Sequence, residues 1–184
     1  SVFGNFLVKN FIYDLQNPMP NKLTIEKMKD VRLKISNDIL KEVSKIYTKK
    51  NGYYNLNKKK LLKCKIYNEI INLFKKNNFL STSFTNINSS FQFYYLNNVW
   101  NDINIALKNN LKIIHFATEP IKAKLIYKKF LKKIMRSNSA TLYKGNMKTI
   151  YSKIWGLNKN YIQNKNQVLI NLKKHFNRNE NCNI

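Results

Sequence analysis

Between Ile121 and Arg178 the chain has no Asp or Glu, yet it carries fifteen Lys and Arg residues. Ammonium and guanidinium groups at that density cannot neutralise one another. The chemistry they offer is electrostatic: pairing with phosphate oxygens or with an acidic protein surface. Lys49-Lys50 and Lys58-Lys59-Lys60 make further clusters in the first half of the chain. Lysines supply point charges for phosphate, and interleaved Tyr and Phe offer rings on which exposed bases stack. Lys49, Lys50, Lys58, Lys59, Lys60, Lys173, Lys174 and Arg178 are therefore candidate RNA contacts. No motif for sequence-specific readout of RNA accompanies them.

Catalytic chemistry has weaker footing. Acids, bases, nucleophiles or metals must be positioned for it. The nine carboxylates are scattered from Asp14 to Glu180, and none forms a pair beside a histidine in sequence. The four glycines make no phosphate-cradling loop. Cys64 and Cys182 are too few for a disulfide framework, and with His115 and His175 they show no metal-ligand spacing. A non-enzyme without a bound metal or cofactor is the expectation.

Composition bounds the setting of these groups. The chain has 184 residues, 34 Lys and Arg against 9 Asp and Glu, and a net charge of +25. Its 43% hydrophobic content points to a folded chain, not a disordered basic tail. Self-repulsion at that charge weakens an isolated fold, so a place inside an assembly is expected. Asn, Lys, Ile, Tyr and Phe are heavily used and only three basic residues are Arg. Such a preference for AT-rich codons accounts for many lysines but not for the missing acids. No apolar run approaches the roughly 20 residues of a membrane span. A start at Ser1 instead of Met is expected of a processed chain or of a partial one.

Periodicity indicates the elements that position these groups. Thr24 can cap a long helix whose stripe is Met28, Val31, Ile35, Ile39, Val43 and Ile46. Lys49–Asn57, with Asn51-Gly52, reads as a polar loop, and a second helix fits Lys58–Lys76. A third fits Tyr94–Leu107, and Leu111–Ala117 is a strand or extended connector. The aromatics Phe91, Phe93, Tyr94, Tyr95 and Trp100 fit a core or protein interface better than a base-stacking platform. After Pro120, helices are expected at about 121–136, 142–156 and 162–176. The fold class expected is all-α, with a helical N-terminal region over 1–117 and a basic three-helix unit over 118–184.

One pattern in the C-terminal unit is more specific. Ile126-Tyr127-Lys128, within an apolar and basic helix, resembles the Leu-Tyr-Arg signature of the LYR family of small mitochondrial three-helix proteins. Ile150 to Asn160, with Trp155 where Phe is usual, looks like that family's second motif. The resemblance covers about a third of the chain. It departs from the family at Ile126, Lys128 and Trp155. It implies docking of the acidic mitochondrial acyl carrier protein by Lys124, Tyr127, Lys128, Lys132 and Arg136. It also implies a tunnel for the acyl chain on that partner's phosphopantetheine, lined by Ile126, Phe130, Ile150, Ile154, Trp155 and Leu172. An ordinary closed core explains the same apolar seam without a ligand.

A charge of +25 exceeds what an acyl-carrier contact requires. The expected function is therefore structural: a mitochondrial ribosomal protein in the matrix that contacts rRNA and neighbouring ribosomal proteins. In that reading the C-terminal unit additionally docks acyl carrier protein. The alternative is an LYR adaptor, an accessory or assembly subunit of a respiratory complex or of iron–sulfur machinery, without RNA contact.

Overall fold

A computed structural model describes residues 2–3, 11–136 and 140–180, with side chains through residue 177. The chain forms two compact units, Asp14–Phe84 and, discontinuously, Ser1–Tyr13 with Thr85–Ile184. The division falls at Asp14 and Thr85, not near Pro120. A short helix, α1 (Phe11–Gln16), spans the first junction.

The Asp14–Phe84 unit is mixed. Strand β1 (Lys22–Thr24) leads into α2 (Ile25–Lys34) and α3 (Asn37–Ile46). Strands β2 (Tyr47–Lys50) and β3 (Tyr53–Leu56) follow, then α4 (Lys58–Leu62) and α5 (Tyr67–Lys76). The sheet is antiparallel in the order β1-β3-β2. Asn51 and Gly52, both at positive φ (51° and 75°), make the tight β2–β3 turn. That pair of left-handed residues matches the twist of a two-residue hairpin.

Thr24 caps α2 as the sequence suggests, its hydroxyl accepting from the Lys27 N–H at 3.1 Å. The single long helix after it is corrected. Ile35 and Ser36 are extended (ψ 151° and 155°) and divide it into α2 and α3. The division lets Val31 and Ile35 pack with Val43, Ile46, Ile70 and Phe74 in one closed core. Tyr47 is buried there, and its hydroxyl donates to the Pro20 carbonyl at 2.6 Å. Burial pushes the Tyr47 pKa far above the usual tyrosine range.

The other unit is built on two small sheets. Strand β4 (Ser90–Phe91) pairs antiparallel with β6 (Ile121–Lys122). Strand β5 (Tyr94–Tyr95) pairs in parallel with an N-terminal strand, Val2–Phe3. Helices α6 (Val99–Lys108), α7 (Ala123–Leu131) and α8 (Lys165–Glu180) surround them. Phe3 stacks on Tyr95 (5.0 Å between centroids) and meets His175 edge-on (5.6 Å). Phe93, Tyr94 and Tyr95 are buried, so most of the aromatic cluster is core, while Trp100 is exposed.

The all-α expectation is therefore overturned: three sheets, parallel and antiparallel, accompany the helices among the described residues. So is the three-helix C-terminal bundle. Its first and third helices exist as α7 and α8. Its second, expected over 142–156, is a non-helical segment with one isolated bridge at Lys144 and one short 3-10 turn at Ser152–Trp155. The backbone hydrogen bonds explain why. The Tyr143 carbonyl accepts from the Ser90 N–H (2.8 Å), and the Gly145 N–H donates to the Ser90 carbonyl (2.9 Å). Both amide atoms of Gln92 bond the Met147 backbone at 2.6 Å. Backbone groups satisfied sideways are lost to a helix, because each offers one donor and one acceptor.

Candidate polyanion-binding surface

The two units share the positive charge unequally. Residues 14–84 hold sixteen Lys and Arg against six acids, a net of +10. The remainder hold eighteen against three, a net of +15. Three ion pairs of the first unit link neighbouring helix turns: Lys27–Asp30 (3.6 Å), Lys41–Asp38 (3.5 Å) and Lys45–Glu42. These are exposed or half-exposed pairs and contribute little to stability.

In the other unit, two of the three acids are engaged by neighbouring groups. Asp102, on α6, is only 3% exposed. Its two oxygens accept from the Tyr94 hydroxyl (2.5 Å) and the Trp155 indole N–H (2.9 Å). Burial first, then the bond to Asp102 and its charge, push the Tyr94 pKa well above the ordinary tyrosine range. Glu119 is occupied as well. It accepts from the Lys165 backbone N–H (2.8 Å) and pairs with Lys159 at 3.8 Å. Among the side chains described in this unit, Asp102 and Glu119 are the carboxylates, and both are engaged by other groups.

Four lysines of this unit line one groove. A groove of about 700 Å³ is bordered by Lys122 from β6, Lys124 and Lys128 from α7, and Lys165 from α8. The elements meet because the Thr118 and Gln163 segments bridge in parallel, with the Glu119 N–H donating to the Gln163 carbonyl at 2.9 Å. Ile87, Leu125 and Met135 make an apolar floor, and Ile134, 88% exposed, stands beside them. Lys124 and Lys128 stand one helical turn apart, so their Cβ atoms are roughly 5–6 Å from each other. A second groove, about 630 Å³, lies in the other unit and includes Lys45, Lys60, Lys63 and Lys65. It also carries the Glu42 carboxylate, which pairs with Lys45.

The expected acyl-carrier set is partly brought together. Lys124 and Lys128 are exposed at the first groove, and Tyr127 is half-buried beside them on α7. Lys132 ends the helix in a left-handed conformation (φ 52°), and Arg136 lies exposed beyond it. The tunnel set is not brought together as a seam. Ile126 and Leu172 are fully buried, and Phe130 stacks on Phe176 at 4.6 Å. Ile154 and Trp155 sit half-buried in the 3-10 turn, and Ile150 is 84% exposed. The closed core carries Ile126 and Leu172, and Trp155 serves Asp102.

The RNA candidates are dispersed over both units. Lys49 and Lys50 project from β2, and Lys58, Lys59 and Lys60 open α4. Asn57 caps that helix, accepting from the Lys60 N–H at 3.1 Å. Lys173 and Lys174 are exposed on α8, while the side chain of Arg178 is outside those described. The sequence reading missed Lys122 and Lys165 as site residues. Their only local signal is membership of the acid-free stretch, and the bridge that joins them is long-range.

Among the described residues, no group of three or more His, Cys, Asp or Glu could hold a metal ion. No described helix is long and apolar enough to cross a membrane. Compared with known proteins, the chain matches no family model, no curated protein and no solved structure.

Proposed function

We propose that this chain is a non-catalytic, RNA-binding structural protein, a component of a mitochondrial ribosome encoded by an AT-rich genome. Its lysine-rich surface contacts rRNA phosphates, and its neighbours are other ribosomal proteins. The observation that carries this reading is the unequal fate of the charges in the +15 unit. Asp102 is buried and Glu119 is engaged, whereas the lysines of α7 and Lys173 and Lys174 of α8 face solvent. A surface field of one sign attracts a polyanion and drives off the cations condensed on it. The codon-biased composition supports the organellar setting.

Docking of acyl carrier protein has less support. It requires a slot between three helices, and the second of these is non-helical apart from one short 3-10 turn. Lys124 and Lys128 remain at the surface and are better matched to phosphate.

The test is the salt dependence of RNA binding by the purified chain. With six or more phosphates neutralised, affinity for a single strand falls by about two to three orders of magnitude as salt rises fourfold. A flat response, or no binding at low salt, refutes the proposal.

A further inference from the structure

We infer that the groove between α7 and the start of α8 takes one unstacked nucleotide of a single-stranded RNA. Its base lies on the apolar floor, and its flanking phosphates meet Lys122, Lys124, Lys128 and Lys165. The inference rests on the RNA-binding reading above and deepens it.

Four ammonium groups from three elements border the groove, and no carboxylate does. The nearest acid in sequence, Glu119, is held by the Lys165 N–H and by Lys159. A single phosphate headgroup needs two or three donors. Four cations delivered by a strand and two helices suit a ligand that repeats its charge along a chain. Lys124 and Lys128, one turn apart on α7, are spaced like successive phosphates of an extended strand.

Phosphate alone does not account for the floor. Leu125 and Met135 are apolar, and Ile134 is 88% exposed beside the lysines. A large aliphatic side chain in that position gains from being covered by a flat, poorly hydrated surface. Nucleobases offer one, and proteins that extrude a base hold it between aromatic or apolar side chains. The volume, about 700 Å³, lies within the range of roughly 300–1,000 Å³ typical of small-ligand sites. It accommodates a nucleotide but not a duplex, whose bases stay stacked and cannot reach the floor.

The experiment uses the full chain and a fluorescently labelled oligouridylate, read by anisotropy across a salt series. Lys124→Glu with Lys128→Glu is compared with Lys41→Glu with Lys75→Glu, a control of equal net charge on exposed helix positions of the other unit. The groove variant is expected to lose at least tenfold more affinity than the control. Its salt slope falls by about 1.4, from two lost phosphate contacts on a single strand. Ile134→Asp is expected to weaken oligouridylate binding several-fold more than binding of inorganic polyphosphate, which has no bases. A 4-thiouridine strand should crosslink within residues 121–136.

Equal losses in groove variant and control, with steep wild-type RNA binding retained, overturn the groove and leave the functional proposal standing. Absence of RNA binding by the wild type overturns both. Displacement of the strand by lauroyl phosphate but not by polyphosphate assigns the groove to an acyl ligand and overturns the inference. Ile134 and both lysine pairs are exposed, so these variants keep their cores.

Discussion

Removing the Asp102 carboxylate tests the internal logic of the +15 unit. Asp102 joins three elements: α6, which carries it, β5 through Tyr94, and the 3-10 turn through Trp155. Asp102→Ala leaves a buried hydroxyl and a half-buried indole N–H without their acceptor. Each unsatisfied donor costs about 1–3 kcal/mol, so a loss of roughly 3 kcal/mol is expected. For a chain of this size that is a fall of about 6–12 °C in melting temperature. Asp102→Asn distinguishes the hydrogen bonds from the charge. Its carbonyl oxygen can face the indole, which only donates, and its amide can donate to the tyrosine oxygen. The Asn variant should therefore stay within about 1.5 kcal/mol of the parent. Thermal unfolding followed by near-UV circular dichroism at high salt, where self-repulsion is screened, reads both variants. Trp155 fluorescence should shift to the red in the Ala variant alone. A melting temperature for Asp102→Ala within 2 °C of the parent, or an Asn variant less stable than Ala, refutes the reasoning.

His175 is buried against Phe3 and Phe176, and that burial lowers its pKa below the ordinary histidine value. The unfolded chain thus binds the proton first as pH falls. Stability should be full above about pH 6.5 and decline below it until the folded imidazole also protonates. Denaturant midpoints across that window should show the decline, and His175→Leu should abolish it. Gly52, at φ +75°, has no atom within 4 Å of an added Cβ. Gly52→Ala should therefore cost only backbone strain, about 1–2 kcal/mol, read as faster hydrogen exchange in the β2–β3 hairpin.

Helix faces were legible where packing agreed with the local pattern. Met28 and Val31, Val43 and Ile46, Ile70 and Phe74, and Val168 and Leu172 are all buried as their spacing implies. Strands were not legible, because each has two to four residues and little alternation. Asn51-Gly52 does carry a hairpin signal. Its flanks, Thr48-Lys49-Lys50 and Tyr53-Tyr54-Asn55, are too polar to show a buried face. The stripe of Met147, Ile150 and Ile154 misled for the opposite reason. It has helical spacing, yet Met147 and Ile150 are exposed, because Ser90 and Gln92 capture the backbone around them. Half of the candidate groove was visible as Lys124 and Lys128 on one helix. Lys122 and Lys165 needed the Thr118–Gln163 bridge, a pairing across 45 positions that no local pattern reports.

The parallel pairing of Val2–Phe3 with Tyr94–Tyr95 sets an order of assembly. During synthesis Val2–Phe3 waits for a partner more than ninety positions later, and Phe3 waits further for His175. Among the described residues, the core cluster of the 14–84 unit is drawn from its own contiguous stretch. Domains fold as units as they emerge, so that insert matures first. The other unit completes only after α8 is made, when His175 meets Phe3 in the aromatic stack. Newly made chains therefore pass through a stage with one finished half and one open half. In the open half, the rings of β5 lack their full packing until α8 is made and closes on them.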